Sequence, residues 1–260
     1  GTLNDADGNA SELRLREAFA DNSVPGRYTF LIPALDDAPA FEPGGDGYGA
    51  LVIKANGKFS LSGKLGDGAI FREAGLVVDG GEFYLYRKLY GRGLKGWVGG
   101  ELLFRDIADI SDFDGTLQWK KAPNVRHKRY PDGFSIERDL IGSTFTVPAR
   151  GEHVLSTLDA GPTTALLTLD GSGIVPPIGT LEVEVSESDR ITKSGDTRLG
   201  ALINRRSGIL IGKVNRTVLG VKNSFGGAVF QKQGIAGGVV YSTDSTGFIL
   251  LEESSPILTD

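Results

Sequence analysis

Asn56-Gly57, Asp67-Gly68 and Asp79-Gly80 follow one another at intervals of 11 and 12 residues, and Gly91-Arg92-Gly93 and Asp114-Gly115 continue the series. Dipeptides of this kind supply the positive φ angles of a type I′ turn, whose twist matches that of the two strands it joins. Repeated at nearly constant spacing between Tyr48 and Trp119, they predict a meander of up-and-down strands. The segment after the first turn alternates as such a strand should. Phe59, Leu61 and Leu65 share one parity, and Lys58, Ser60, Ser62 and Lys64 share the other, so one face is buried and one is wet. The best helical candidate, Ser11 to Ala20, has Leu13 and Leu15 alternating with Glu12, Arg14 and Arg16, which is a strand period. A strand is therefore expected over Glu12 to Arg16, without a partner hairpin, and it must dock on its own domain or complete the sheet of a neighbouring copy.

Three prolines between Ala122 and Pro148 mark a connection, with the boundary expected near Pro123 to Tyr130. This divides the chain into a strand or linker over 1–22, a first meander over 23–125 and a second over 126–260. The halves look related. Leu61-Ser62-Gly63-Lys64-Leu65 matches Leu210-Ile211-Gly212-Lys213-Val214, Gly80-Gly81-Glu82-Phe83 matches Gly226-Gly227-Ala228-Val229-Phe230, and Leu94 to Val98 is echoed by Ile235 to Val239. Chance matching of glycines is the alternative. The expected fold is all-β, two related antiparallel meanders forming barrels or strongly curved sheets, because closure removes the edges that hairpins leave exposed. A β-sandwich is the alternative.

Composition narrows the chemistry. With no cysteine there is no disulfide framework, thiolate nucleophile or cysteine-bound metal, and with no methionine Gly1 reads as a cut or processed start. A net charge of −5 without a basic block argues against nucleic acid and against an anionic membrane surface as partners. No apolar run reaches the length of a membrane-spanning helix. Any export signal would lie upstream.

Several segments resemble a known setting. Gly-Arg-Tyr-Thr-Phe-Leu-Ile-Pro (Gly26 to Pro33), Gly-Asp-Gly-Tyr-Gly (Gly45 to Gly49), Leu61 to Gly68, Tyr-Pro-Asp-Gly-Phe (Tyr130 to Phe134) and Phe-Gly-Gly-Ala-Val-Phe-Gln-Lys-Gln (Phe225 to Gln233) occur in that order. Together they resemble a β-rich region near the C-terminus of very large exported bacterial proteins, of verrucomicrobial type, that carry arrays of immunoglobulin-like modules. The similarity covers Gly26 to Glu252, and Asn4 to Glu12 in front of it looks like the last hairpin of such a module. The resemblance implies an extracellular or cell-surface location, with neighbouring β domains or further copies of the chain as partners. It implies no catalytic residue.

Candidate sites follow from residue chemistry. Tyr84, Tyr86 and Tyr90 share one parity of the strand from Glu82, with Phe83 and Leu85 on the other, so the tyrosines and Trp97 form a candidate stripe for sugar rings or protein partners. Packing of such rings beneath a neighbouring loop is the commoner arrangement. Asp5, Asp7 and Asn9 present oxygens at alternate positions and Asp109, Asp112 and Asp114 form a second acidic group, so either could take Ca2+, although neither completes a calcium-loop pattern. No other cofactor is expected. His127 and His153 are the only histidines and lie in no metal-ligand spacing; His127, among Arg126, Lys128 and Arg129, reads as part of a solvated basic loop. The loop Gly44 to Gly49 leads into a strand, so it lacks the helix N-terminus that a phosphate cradle needs. The expected function is a non-catalytic structural or assembly module. A glycan-binding or adhesive module is the alternative, and a hydrolase using two of the 33 scattered carboxylates is a weaker one.

Overall fold

In the computed structural model the described residues are 2–4, 10–12, 24–91, 95–171 and 177–254. Their regular structure is all β, apart from a single 3-10 turn at Thr217–Leu219. No helix among them is long and apolar enough to cross a membrane. The short strands β1 (Thr2–Asn4) and β2 (Ala10–Glu12) pair antiparallel in a two-stranded sheet of their own. Of the strand expected over Glu12 to Arg16, Glu12 closes β2 and pairs with Thr2, and residues 13–16 lie outside the described residues.

The first large sheet contains β3 (Gly26–Ile32), β4 (Gly47–Ile53), β5 (Lys58–Lys64), β6 (Ile70–Leu76), β7 (Glu82–Lys88), β8 (Gly96–Ile107), β9 (Ser111–Lys121) and β10 (Phe134–Thr144). Its order is β6-β5-β4-β3-β10-β9-β8-β7. Pairing of β10 with β3 rolls the meander into a barrel that stays open between β6 and β7, which no ladder among the described residues joins; an isolated bridge links Val78 to Glu82 beside the gap. The second sheet is a closed barrel of β11 (Thr163–Asp170), β12 (Gly179–Val185), β13 (Arg190–Lys193), β14 (Thr197–Ile203), β15 (Ile209–Arg216), β16 (Val221–Phe230), β17 (Ile235–Tyr241) and β18 (Thr246–Glu253). Here β18 pairs back onto β11. Among the described residues, two antiparallel eight-stranded meanders, one closed and one nearly so, thus stand beside the β1–β2 pair.

The turn chemistry explains most of the first barrel. Gly57, Gly68 and Gly80 hold φ angles of 71°, 93° and 93° at the ends of hairpins, and Phe59, Leu61 and Leu65 point into the core. Asp114-Gly115 does not turn: it lies inside β9, and the chain reverses earlier, around Asp109 at φ 57°. Asp114 is held by Arg105 instead. Gly115 lets β8 approach closely, since a Cβ there would sit 2.2 Å from Glu101 O. The boundary also moves. β10 belongs to the first barrel, so the crossing to the second runs through 145–162 and not through 123–130.

The matched segments occupy unlike places. Leu61 to Leu65 begins in the third strand of the first barrel and Leu210 to Val214 lies in the fifth of the second, whereas the Gly-Gly pairs open the fifth strand of one and sit inside the sixth of the other. The strand offset thus differs from one matched pair to the next.

The first core is aromatic, with Phe30, Phe71, Phe83 and Phe113 fully buried. Across the open seam, Phe59 of β5 meets Phe83 of β7 edge-on at 5.2 Å. The second core is mainly aliphatic, around Leu167, Val183, Ile191, Leu210 and Leu251, and the crossing segment adds Phe145, Val154 and Leu155 to it.

The barrels dock side by side. Leu31 and Tyr48 of the first meet Ala228, Phe230 and Val239 of the second in a separate apolar cluster. Glycines open the space: a Cβ at Gly226 would lie 2.2 Å from Tyr48 Oη, and one at Gly237 would lie 2.8 Å from Leu31 Cδ1. Beside this cluster, Gln231 Nε2 donates to Thr146 O at 3.0 Å while its Oε1 accepts from Thr146 N at 2.7 Å. Lys232 reaches across to Asp106, to Asp112 at 2.8 Å and to Ser111 O at 3.0 Å.

Candidate functional site

Phe83 and Leu85 are buried in the core, which turns Tyr84 and Tyr86 outward at 48% and 53% exposure. In the β7–β8 ladder Tyr86 stands opposite Gly99 and Lys88 opposite Trp97, so the Tyr86 ring lies over a position without a side chain. It meets the half-buried Trp97 with centroids 5.9 Å apart and planes inclined at 34°. Tyr84, Tyr86 and Trp97 share this outer face. Tyr90 does not join them. The strand ends at Lys88, and a left-handed backbone at Tyr90, φ 62°, turns its ring inward.

There Tyr90 Oη donates to Asp67 Oδ2 at 2.9 Å and accepts from Trp119 Nε1 at 2.9 Å. Burial, and then the Asp67 charge, push its phenol far above the ordinary range. Lys121 completes the group, with Nζ 3.2 Å from Asp67 Oδ2, 2.9 Å from Arg129 O and 4.9 Å from the Tyr90 ring centre. His127 packs on the same ring at 5.7 Å, half-buried, while Arg126 and Lys128 are exposed. It is thus not part of the solvated face expected of that loop, and burial lowers its pKa. His153 belongs to the second barrel, with Nδ1 2.9 Å from Asp189 Oδ1 and Nε2 2.7 Å from Gly161 O. These contacts form a buried latch that also engages Arg205.

The acidic candidates are dispersed. Asp109 forms the β8–β9 turn, Asp114 takes Arg105 Nε at 2.9 and 3.0 Å, and Asp112 binds Lys232 and accepts from Thr144 N at 2.6 Å. Burial alone would raise Asp112, but Lys232 and Thr144 hold it below the usual carboxylate range. Among the described residues no three metal-ligating side chains converge. Asp5, Asp7 and Asn9 lie outside the described residues.

A concavity lies between the barrels. Pro33 ends β3, and the loop that follows folds over β17 and β18 before returning at β4. Gly45 permits the approach, because a Cβ there would come within 2.3 Å of Gly247 O. The resulting cleft measures about 700 Å³, with Leu31, Leu35, Ile235, Phe248 and Leu250 among its walls. Asp46 lies within it, tied down by its own N–H to Gly238 O at 3.1 Å and by Ala34 N to Oδ1 at 2.9 Å. Burial pushes this carboxyl up to about 7, Ala34 N–H opposes the shift, and nearby Asp36 adds to it. Sequence reasoning passed over Asp46. Its signal was a single carboxylate inside a run of glycines, in a loop weighed there only as a phosphate cradle. The chain matches no family model, no curated protein and no solved structure.

Proposed function

We propose that this chain is a non-catalytic structural or assembly module of an extracellular or cell-surface protein, its two barrels acting as one stiff unit. The observation that carries this reading is the joint between the barrels. An apolar contact from Leu31 and Tyr48 to Phe230 and Val239 is bracketed by the bonds of Gln231 and Lys232, which resist both sliding and hinging. The ordered resemblance over Gly26 to Glu252 supports the setting, and neighbouring β domains or further copies are the partners it suggests. Residual dipolar couplings test the stiffness: one alignment tensor should fit both barrels, and two independent tensors would overturn the reading. Turnover in a screen of polysaccharide and peptide substrates would overturn its non-catalytic half.

A second reading, glycan adhesion, is favoured by the outward pair Tyr86 and Trp97 with Tyr84 on the same face. Glycan-array binding that disappears in the Tyr84→Ala, Tyr86→Ala double variant would select it.

A further inference from the structure

Among the described residues, the interbarrel cleft carries charge of one sign. Asp46 lies within it, the exposed Asp36 and Asp37 also line it, and among the described residues no lysine, arginine or histidine does. Asp46 Oδ1 is occupied by Ala34 N, whereas Oδ2 takes no hydrogen bond from the described residues. It points toward Gly237, where even a Cβ would stand 3.5 Å from it. The walls are otherwise aliphatic and aromatic, and the volume suits a drug-sized molecule. An anion entering here would meet three carboxylates. A neutral apolar molecule would leave the free oxygen unused. A cation on an apolar body satisfies both the walls and the acid, because a charge-assisted hydrogen bond in a partly dry site is stronger than a neutral one.

We propose that the cleft binds a small amphipathic amine, its ammonium donating to Asp46 Oδ2 and its apolar body lying against Leu31, Phe248 and Leu250. The competing role for Asp46 is local, as an acceptor that holds Ala34 at the start of the loop. Asp46→Asn separates the two, because the amide oxygen still accepts from Ala34 N while the charge is gone. This inference does not depend on the structural or the adhesive reading of the whole chain.

The test is isothermal titration of the full chain with phenylbutylamine, phenylbutanol and phenylbutyrate. At about pH 8.5 the amine should bind about tenfold more tightly than the alcohol, and the carboxylate should not bind. Between about pH 6 and about pH 8.5 amine affinity should rise about tenfold as Asp46, which titrates near 7, sheds its proton. In Asp46→Asn the amine should fall to the affinity of the alcohol and lose its pH dependence. Phe248→Ala, at a wall residue that is already 37% exposed, should weaken amine and alcohol by the same factor. Equal affinity of wild-type protein for amine and alcohol, an Asp46→Asn protein that binds as wild type does, or no amine binding at all would each overturn the assignment. The ranking of the three probes on wild-type protein decides the matter even where a variant is poorly folded.

Discussion

Asp46 couples stability to pH at the scale of one residue. Its folded pKa of about 7 lies above the ordinary carboxylate value, so between about pH 4 and 7 the folded state holds a proton that the unfolded chain has released. Stability is therefore fully present below that window, declines as pH rises through it, and is lowest above it. The full effect would be at most ~1.4 kcal/mol for each pH unit, and the half-buried position of Asp46 at an open cleft reduces the total to ~1–2 kcal/mol. Asp46→Asn should accordingly melt higher than wild type at pH ~8 and equally at pH ~4, as calorimetry can measure. Gly226 makes a steric prediction. An added Cβ would meet the Tyr48 phenol at 2.2 Å, so Gly226→Ala should cost ~1–3 kcal/mol in urea unfolding. Removing the hydroxyl with Tyr48→Phe should recover part of that loss, and additive costs would show that the contact is not the cause.

Among the elements, β6 and β7 are the exception in a ladder that otherwise runs without a break. Each leaves one edge largely unpaired, and the seam between them is spanned inside by the Phe59–Phe83 contact. Backbone amides on those two strands should exchange with solvent faster than those of β4, β9 and β10, which are paired on both sides. Phe59→Ala should remove ~3–5 kcal/mol and widen this difference, since it deletes a buried ring and leaves Phe83 without its partner across the seam. Uniform protection across all eight strands would contradict the open-seam description. The closed second barrel has no such edge, and its crossing segment is fastened by the His153–Asp189–Arg205 latch.

For the whole molecule, the joint decides whether the barrels unfold together. Lys232 pairs with Asp112 and Asp106 at the rim of the apolar contact, and Gln231 holds both backbone groups of Thr146. Wild-type protein should unfold in one urea transition, and the Gln231→Ala, Lys232→Ala double variant in two, with the barrels reporting separately. A double variant that still unfolds in one step would place the coupling in the apolar cluster alone.

What the sequence determined by itself is the local part of this architecture. Turn dipeptides and period-2 alternation declare hairpins because both act between residues a few positions apart, so the all-β meander, the inward Phe59 and Leu61 and the outward Tyr84 and Tyr86 were legible. Asp114-Gly115 and Tyr90 mark where that legibility stops. The same Asp-Gly pair lies straight when Arg105 claims the carboxylate, and strand parity ends once a left-handed residue turns the chain. The tertiary structure alone decided that β10 closes onto β3, that the Phe225 to Gln233 motif becomes a joint, and that a glycine-flanked Asp46 enters a cleft. Each of these depends on residues a hundred or more positions apart, and neither composition nor periodicity records which distant surface a strand will meet.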